Sequence, residues 1–137
     1  MSYYKNNKEK VYSQQKEYRK TPKGKLAIKR MNGNLLKKTR DVVYTHYCGS
    51  ENWYCMCPKC NVVGTKFLSV DHINNDGKDH RKEIGKTSYR LYKYIIENNF
   101  PNDFQVFCMN CNWGKNINKG ICPHHEMKEN NDWEREL

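Results

Sequence analysis

Cys108-Met109-Asn110-Cys111-Asn112-Trp113-Gly114-Lys115 closes the stretch that decides how this chain folds, and its counterpart stands upstream at Cys57-Pro58-Lys59-Cys60. Each is a Cys-x-x-Cys knuckle, and the pair brackets Asp71-His72. A two-residue spacer lets both sulfurs of a knuckle face one metal, so Cys57, Cys60, Cys108 and Cys111 suit a single tetrahedral zinc. Such an ion draws the segments carrying Asp71, His72 and Asn112 into one neighbourhood.

Cysteine usage supports metal over disulfides. Seven cysteines are an odd number, and no apolar signal segment follows Met1-Ser2-Tyr3-Tyr4-Lys5. A redox role for either knuckle requires a βαβ context that the sequence lacks. Cys55-Met56-Cys57 offers Cys60 two possible companions; Cys57 is preferred for its two-residue loop, with Cys55 simply buried. Cys122, His124 or His125, with Cys48 or Cys55, offer a second ligand set, while the plainer reading of Cys122-Pro123-His124-His125 is a turn packed on the domain.

At 137 residues, 36% of them hydrophobic and 29% charged, the chain suits one small polar domain that a structural zinc would help to hold together. Mean hydropathy is −1.09 and no long apolar run occurs, so a soluble, unexported protein with no membrane association is expected. The net charge of +10 is uneven. Residues 1–46 hold 13 Lys or Arg against Glu9, Glu17 and Asp41, whereas residues 47–137 balance 12 against 12. A basic arm on a neutral domain reads as an anchor for a polyanion, because each neutralised phosphate releases counterions. Lys5, Lys8, Lys10, Lys16 and Lys20 are its candidate contacts, interleaved with Tyr3, Tyr4, Tyr12 and Tyr18. The plainer reading is a solvated charged tail.

Three segments follow: a basic helical arm over 1–46, a zinc-bearing domain over 47–125 and an acidic tail over 126–137. Residues 7–20 tolerate a helix, and Thr21-Pro22 is a cap and first turn for a second one. Leu26, Met31, Leu35 and Val42 continue it, with a break expected at Gly33 between asparagines. Lys66–Val70 and Phe104–Phe107 read as short strands, which sets Asp71-His72 at a strand end. Asn74-Asn75-Asp76-Gly77 is a turn signal. Thr87 or Ser88 caps a helix bearing Leu91, Tyr92, Ile95 and Ile96, and a last short helix opens near Asn112.

Leu68-Ser69-Val70-Asp71-His72-Ile73-Asn74, taken with Asn102-Asp103-Phe104-Gln105 and the run through Cys108, Cys111, Asn112 and Lys115, resembles the HNH endonucleases of the ββα-metal, or His-Me finger, type. It is similar to their zinc-bearing branch, which includes phage recombination endonuclease VII and in which a Cys-Asn step likewise closes the motif. The resemblance spans residues 47–125. It implies an α+β fold: a small, zinc-stabilised, treble-clef-like ββα-metal domain behind the basic helical extension.

The implied activity is hydrolysis of DNA phosphodiester bonds, on duplex or branched DNA, in the cytoplasm of a host cell if the chain is phage-encoded. Asp71 and Asn112 would hold a Mg²⁺ or Mn²⁺ separate from the zinc, and His72 would be the general base, leaving 5′-phosphate and 3′-hydroxyl ends. The chain departs from the pattern in three places. Asp103, with Asn102 beside it, stands where the family's middle Asn braces the loop. Asn112 replaces the closing His. The segment from Gly77 to Pro101 is longer than a minimal hairpin, and it carries His80, of open role, and Arg81, a candidate for phosphate. Lys115 falls where the family often has a phosphate-binding lysine. The alternative function is a zinc-stabilised module that binds nucleic acid without cutting it.

Overall fold

A computed structural model describes residues 3–126, with side chains from Asn7 onward. The side chain of Lys5 and the tail beyond Glu126, including Trp133, lie outside the described residues. The chain divides into two compact units, 1–38 and 39–137.

The first unit is built of helices. Helix α1 spans Tyr3–Lys20 and helix α2 begins at Pro22 and runs to Cys48, so its residues 39–48 belong to the second unit. Thr21 makes the join. Its hydroxyl donates to the Tyr18 carbonyl at 2.7 Å and accepts from the Gly24 N–H at 3.0 Å, a side-chain cap ahead of Pro22 at the first helical position. Gly24 packs against the Tyr18 carbonyl so closely that a β-carbon has no room. Gly33 does not interrupt α2, contrary to expectation. A lone exposed glycine costs a helix only about 1 kcal/mol, and no proline enforces a break. Lys8, Lys10, Lys16 and Lys20 are all exposed.

The second unit is a small α+β assembly. Strands β1 (Leu68–His72) and β2 (Phe104–Cys108) pair antiparallel, with Leu68 opposite Cys108 and His72 opposite Phe104. Between them lie helices α3 (Gly77–Ile84) and α4 (Ser88–Glu97), and α5 (Met109–Ile117) follows β2 directly. A 3-10 turn, Pro123–His125, completes the described chain. The sheet contains these two strands alone, among the described residues, so its core is supplied by what packs on it.

Val43 and Tyr44 of α2 are fully buried with Leu91, Tyr92 and Ile95 of α4 and Phe104, Val106 and Phe107 of β2. Apolar residues recur along α4 at helical spacing, which is why that helix turns one face inward. Tyr44 does two jobs there. Its ring meets Trp53 and Tyr92 edge-on at 5.8 and 6.2 Å, and its hydroxyl donates to the Leu68 carbonyl at 2.8 Å, tethering β1. Burial pushes the Tyr44 phenol well above its ordinary range. No described helix is long and apolar enough to cross a membrane.

Candidate functional site

The site begins at the end of β1. Alternation along the strand sends Asp71 into the structure opposite Gln105, and the Gln105 amide donates to Asp71 Oδ2 at 2.7 Å. Lys115 reaches the same oxygen from α5 at 2.9 Å and also donates to the His72 carbonyl at 2.6 Å. Lys115 therefore corrects the sequence reading: at 4% exposure its ammonium is internal, pinning α5 to β1 rather than meeting a phosphate. Both bonds to Asp71 fall on Oδ2, which leaves Oδ1 as a hard donor without a partner among the described residues.

His72 is equally enclosed, 6% exposed, with its ring edge-on to Phe104 at 4.9 Å. Its Nε2 lies 2.9 Å from Nδ1 of His80, presented by α3. The opposite nitrogen, Nδ1, faces Gly77 at the start of α3, where a β-carbon would sit 2.8 Å away. A β-carbon there would press on the face of the ring, so glycine lets α3 start this close to His72. Burial, followed by the field of His80, lowers the His72 pKa below its ordinary 6.5, so the ring is neutral at pH 7. His80 Nε2 is buried without a hydrogen-bond partner among the described residues.

Asn112, in the first turn of α5, commits its amide nitrogen to Ser69 Oγ at 3.0 Å and the Val70 carbonyl at 3.4 Å. Its carbonyl oxygen is the atom left for a ligand. Asp71, His72 and Asn112 line a single cavity of about 100 Å³ with Gly77, Arg81 and Asn116. Arg81 and Asn112 also border an adjoining groove of about 290 Å³, walled by the exposed ring of Trp113. Asn102 and Asp103 are exposed, and the bond from the Ile73 N–H to the Asp103 carbonyl at 2.9 Å is a main-chain contact that draws on neither side chain.

The cysteines gather nearby, at the junction of the first knuckle, β2 and α5. Cys55, Cys60, Cys108 and Cys111 bring their sulfurs within 4.8 Å of one another, a group that can hold a metal such as zinc. Three of the four expected ligands are there, with Cys55 in place of Cys57. The Cys55 amide donates to the Val62 carbonyl and the Met56 N–H donates to the Val106 carbonyl of β2, which seats Cys55 beside Cys108. Cys57 lies instead in a second group with Cys111, Cys122 and His124. Spacing along the chain does not distinguish two cysteines of one extended segment, whereas the register against β2 does.

Burial pushes the thiols of Cys55, Cys57 and Cys111 up, Cys55 to about 11. It also weighs on Cys108, yet bonds from the Cys111 backbone and the neighbouring thiols hold that group below its ordinary value. The sequence reading left the role of His80 open and gave none to Gly77, Gln105 or Trp113. A histidine eight residues after His72, across a glycine-ended turn, is the one signal of this set written in the chain. Comparison with protein-family models, curated proteins and solved structures found no match.

Proposed function

We propose that this chain is a metal-dependent DNA endonuclease of the HNH, ββα-metal type, with α5 as the helix that follows the two strands. One observation carries the reading: a carboxylate, a neutral imidazole, an amide carbonyl and a guanidinium, Asp71, His72, Asn112 and Arg81, line one small cavity.

The donor set fits a hard divalent cation. Asp71 Oδ1 and the Asn112 carbonyl are oxygen ligands from two elements, few enough to leave room for waters and a phosphate, as Mg²⁺ or Mn²⁺ prefers. Bound there, the cation would neutralise charge on the scissile phosphate and on the departing oxygen. The remaining work belongs to the chain. His72 accepts a proton from the attacking water at Nδ1, since its other nitrogen, Nε2, is the one held at His80. Nε2 must then carry hydrogen and donate to His80 Nδ1, which fixes the tautomer and the ring plane. Arg81 offers a forked donor to the phosphate, and exposed Trp113 gives a flat surface for a sugar or base along the groove. The basic helices supply charge that does not depend on sequence.

Binding without cleavage is the second reading, and Lys115 favours it. Its ammonium already neutralises Asp71 and competes with any cation for that carboxylate. Incubation of the full chain with linear, supercoiled and four-way-junction DNA, with and without Mg²⁺ or Mn²⁺, separates the two. Metal-dependent nicking supports the endonuclease, and retarded but intact DNA in every arm supports the binding module.

A further inference from the structure

The two cysteine groups are not two separate sites, because Cys111 belongs to both. Their combined members are Cys55, Cys57, Cys60, Cys108, Cys111, Cys122 and His124, and neither Cys48 nor His125 joins either group among the described residues.

In each half the ligand atoms lie within 4.8 Å of one another, and five of the edges stand at tetrahedral zinc distances. Zn–S bonds of about 2.3 Å and Zn–N bonds of about 2.0–2.1 Å imply S···S edges near ~3.8 Å and S···N edges near ~3.5 Å. In the first half Cys60 and Cys108 lie 3.7 Å apart. In the second, Cys57 and Cys122 lie 3.7 Å apart, and His124 Nδ1 stands 3.3, 3.6 and 3.8 Å from Cys111, Cys122 and Cys57. Each set of four is closed only if it includes Cys111.

The backbone is shaped to bring the second half in. Lys119 and Gly120 take left-handed conformations, φ 51° and 93°, and reverse the chain after α5. The returning Cys122-Pro123 segment then packs on Gly114, where a β-carbon would fall 2.8 Å from Pro123 Cδ. Glycine at that point of α5 is what allows Cys122 and His124 to reach Cys111, three residues earlier on the same helix.

We propose that the chain binds two zinc ions in one thiolate-bridged cluster: Cys55, Cys60 and Cys108 on one ion, Cys57, Cys122 and His124 on the other, with Cys111 shared. A thiolate has lone pairs enough for two metals, and sharing it gives each ion four ligands. Six thiolates on two dications leave a small negative charge, which the N-terminus of α5 offsets: Cys108 caps that helix and Cys111 is in its first turn. Backbone N–H groups also reach the sulfurs, Cys108 to Cys55 at 3.1 Å and Cys111 to Cys108 at 3.4 Å. The cluster is independent of any reaction at Asp71 and His72.

Metal content of the purified full chain is the first test, and two zinc ions per chain are expected. The bridge is read from the ¹¹³Cd-substituted protein, in which the β-protons of Cys111 should correlate with two cadmium resonances and those of the other five cysteines with one each. His124→Ala should lower the content towards one ion while Cys55, Cys60 and Cys108 still report a metal. One ion per chain in the wild type, or two resonances with no shared cysteine, would overturn the proposal.

Discussion

His72 Nε2 and His80 Nδ1 lie 2.9 Å apart, so the imidazole at the end of β1 is held by a second imidazole from α3. Their rings meet at 75°, and the Tyr94 and Phe104 rings pack against His80. In the proposed reaction His80 positions His72 and does not itself react. His80→Ala should lower kcat by roughly 100-fold with KM for DNA little changed, the cost of losing a base's orientation. Because an Asn amide can present its oxygen where Nδ1 stood, His80→Asn should recover part of that loss. Equal failure of both variants, or a change confined to KM, contradicts a positioning role.

Gly77 lies against the face of the same ring. Gly77→Ala introduces a methyl group 2.8 Å from His72 Nδ1, and the ring has to shift because α3 cannot retreat from its own first turn. Cleavage should fall by roughly 100-fold while zinc content and DNA affinity hold. A fully active alanine variant would show that the close packing of Gly77 on the ring does not set the ring's position for cleavage.

Lys115 separates a structural from a DNA-binding lysine. In Lys115→Met, Asp71 keeps its burial and loses its cation, which should destabilise the zinc-loaded protein to urea by about 3 kcal/mol. The salt dependence of DNA binding should not change. Unaltered stability with a flatter salt slope would return Lys115 to the surface role suggested by the motif.

How much of this was written in the chain differs from residue to residue. Alternation over Leu68–Val70 was enough to set Asp71-His72 at a strand end, and Thr21 and Thr87 announced their helices as caps. The choice between Cys55 and Cys57 was not legible, since it depends on strand register rather than spacing. Lys115 misled because a sequence does not distinguish a solvated ammonium from one turned inward onto a carboxylate. Gly33 looked like a break because propensity is local, and α2 continues through it.

The arm makes an electrostatic prediction. Lys8, Lys10, Lys16 and Lys20 are exposed, and among the described residues only Lys20 of these four has an ion-pair partner, Glu17 at 2.7 Å. Neutralising all four to Gln should weaken DNA binding and flatten the slope of log K against log salt, by up to roughly 3 to 4 if every one meets a phosphate. An identical slope would show that the arm does not touch DNA.

The central claim is that His72 is the base of a metal-dependent DNA cleavage. Single-turnover nicking of supercoiled DNA in Mg²⁺, wild type against His72→Ala at matched zinc content and matched DNA binding, tests it most directly. The expected result is cutting by the wild type and a loss of at least roughly 100-fold in the variant. Equal rates for the two proteins, or no metal-dependent cutting by the wild type, would contradict it.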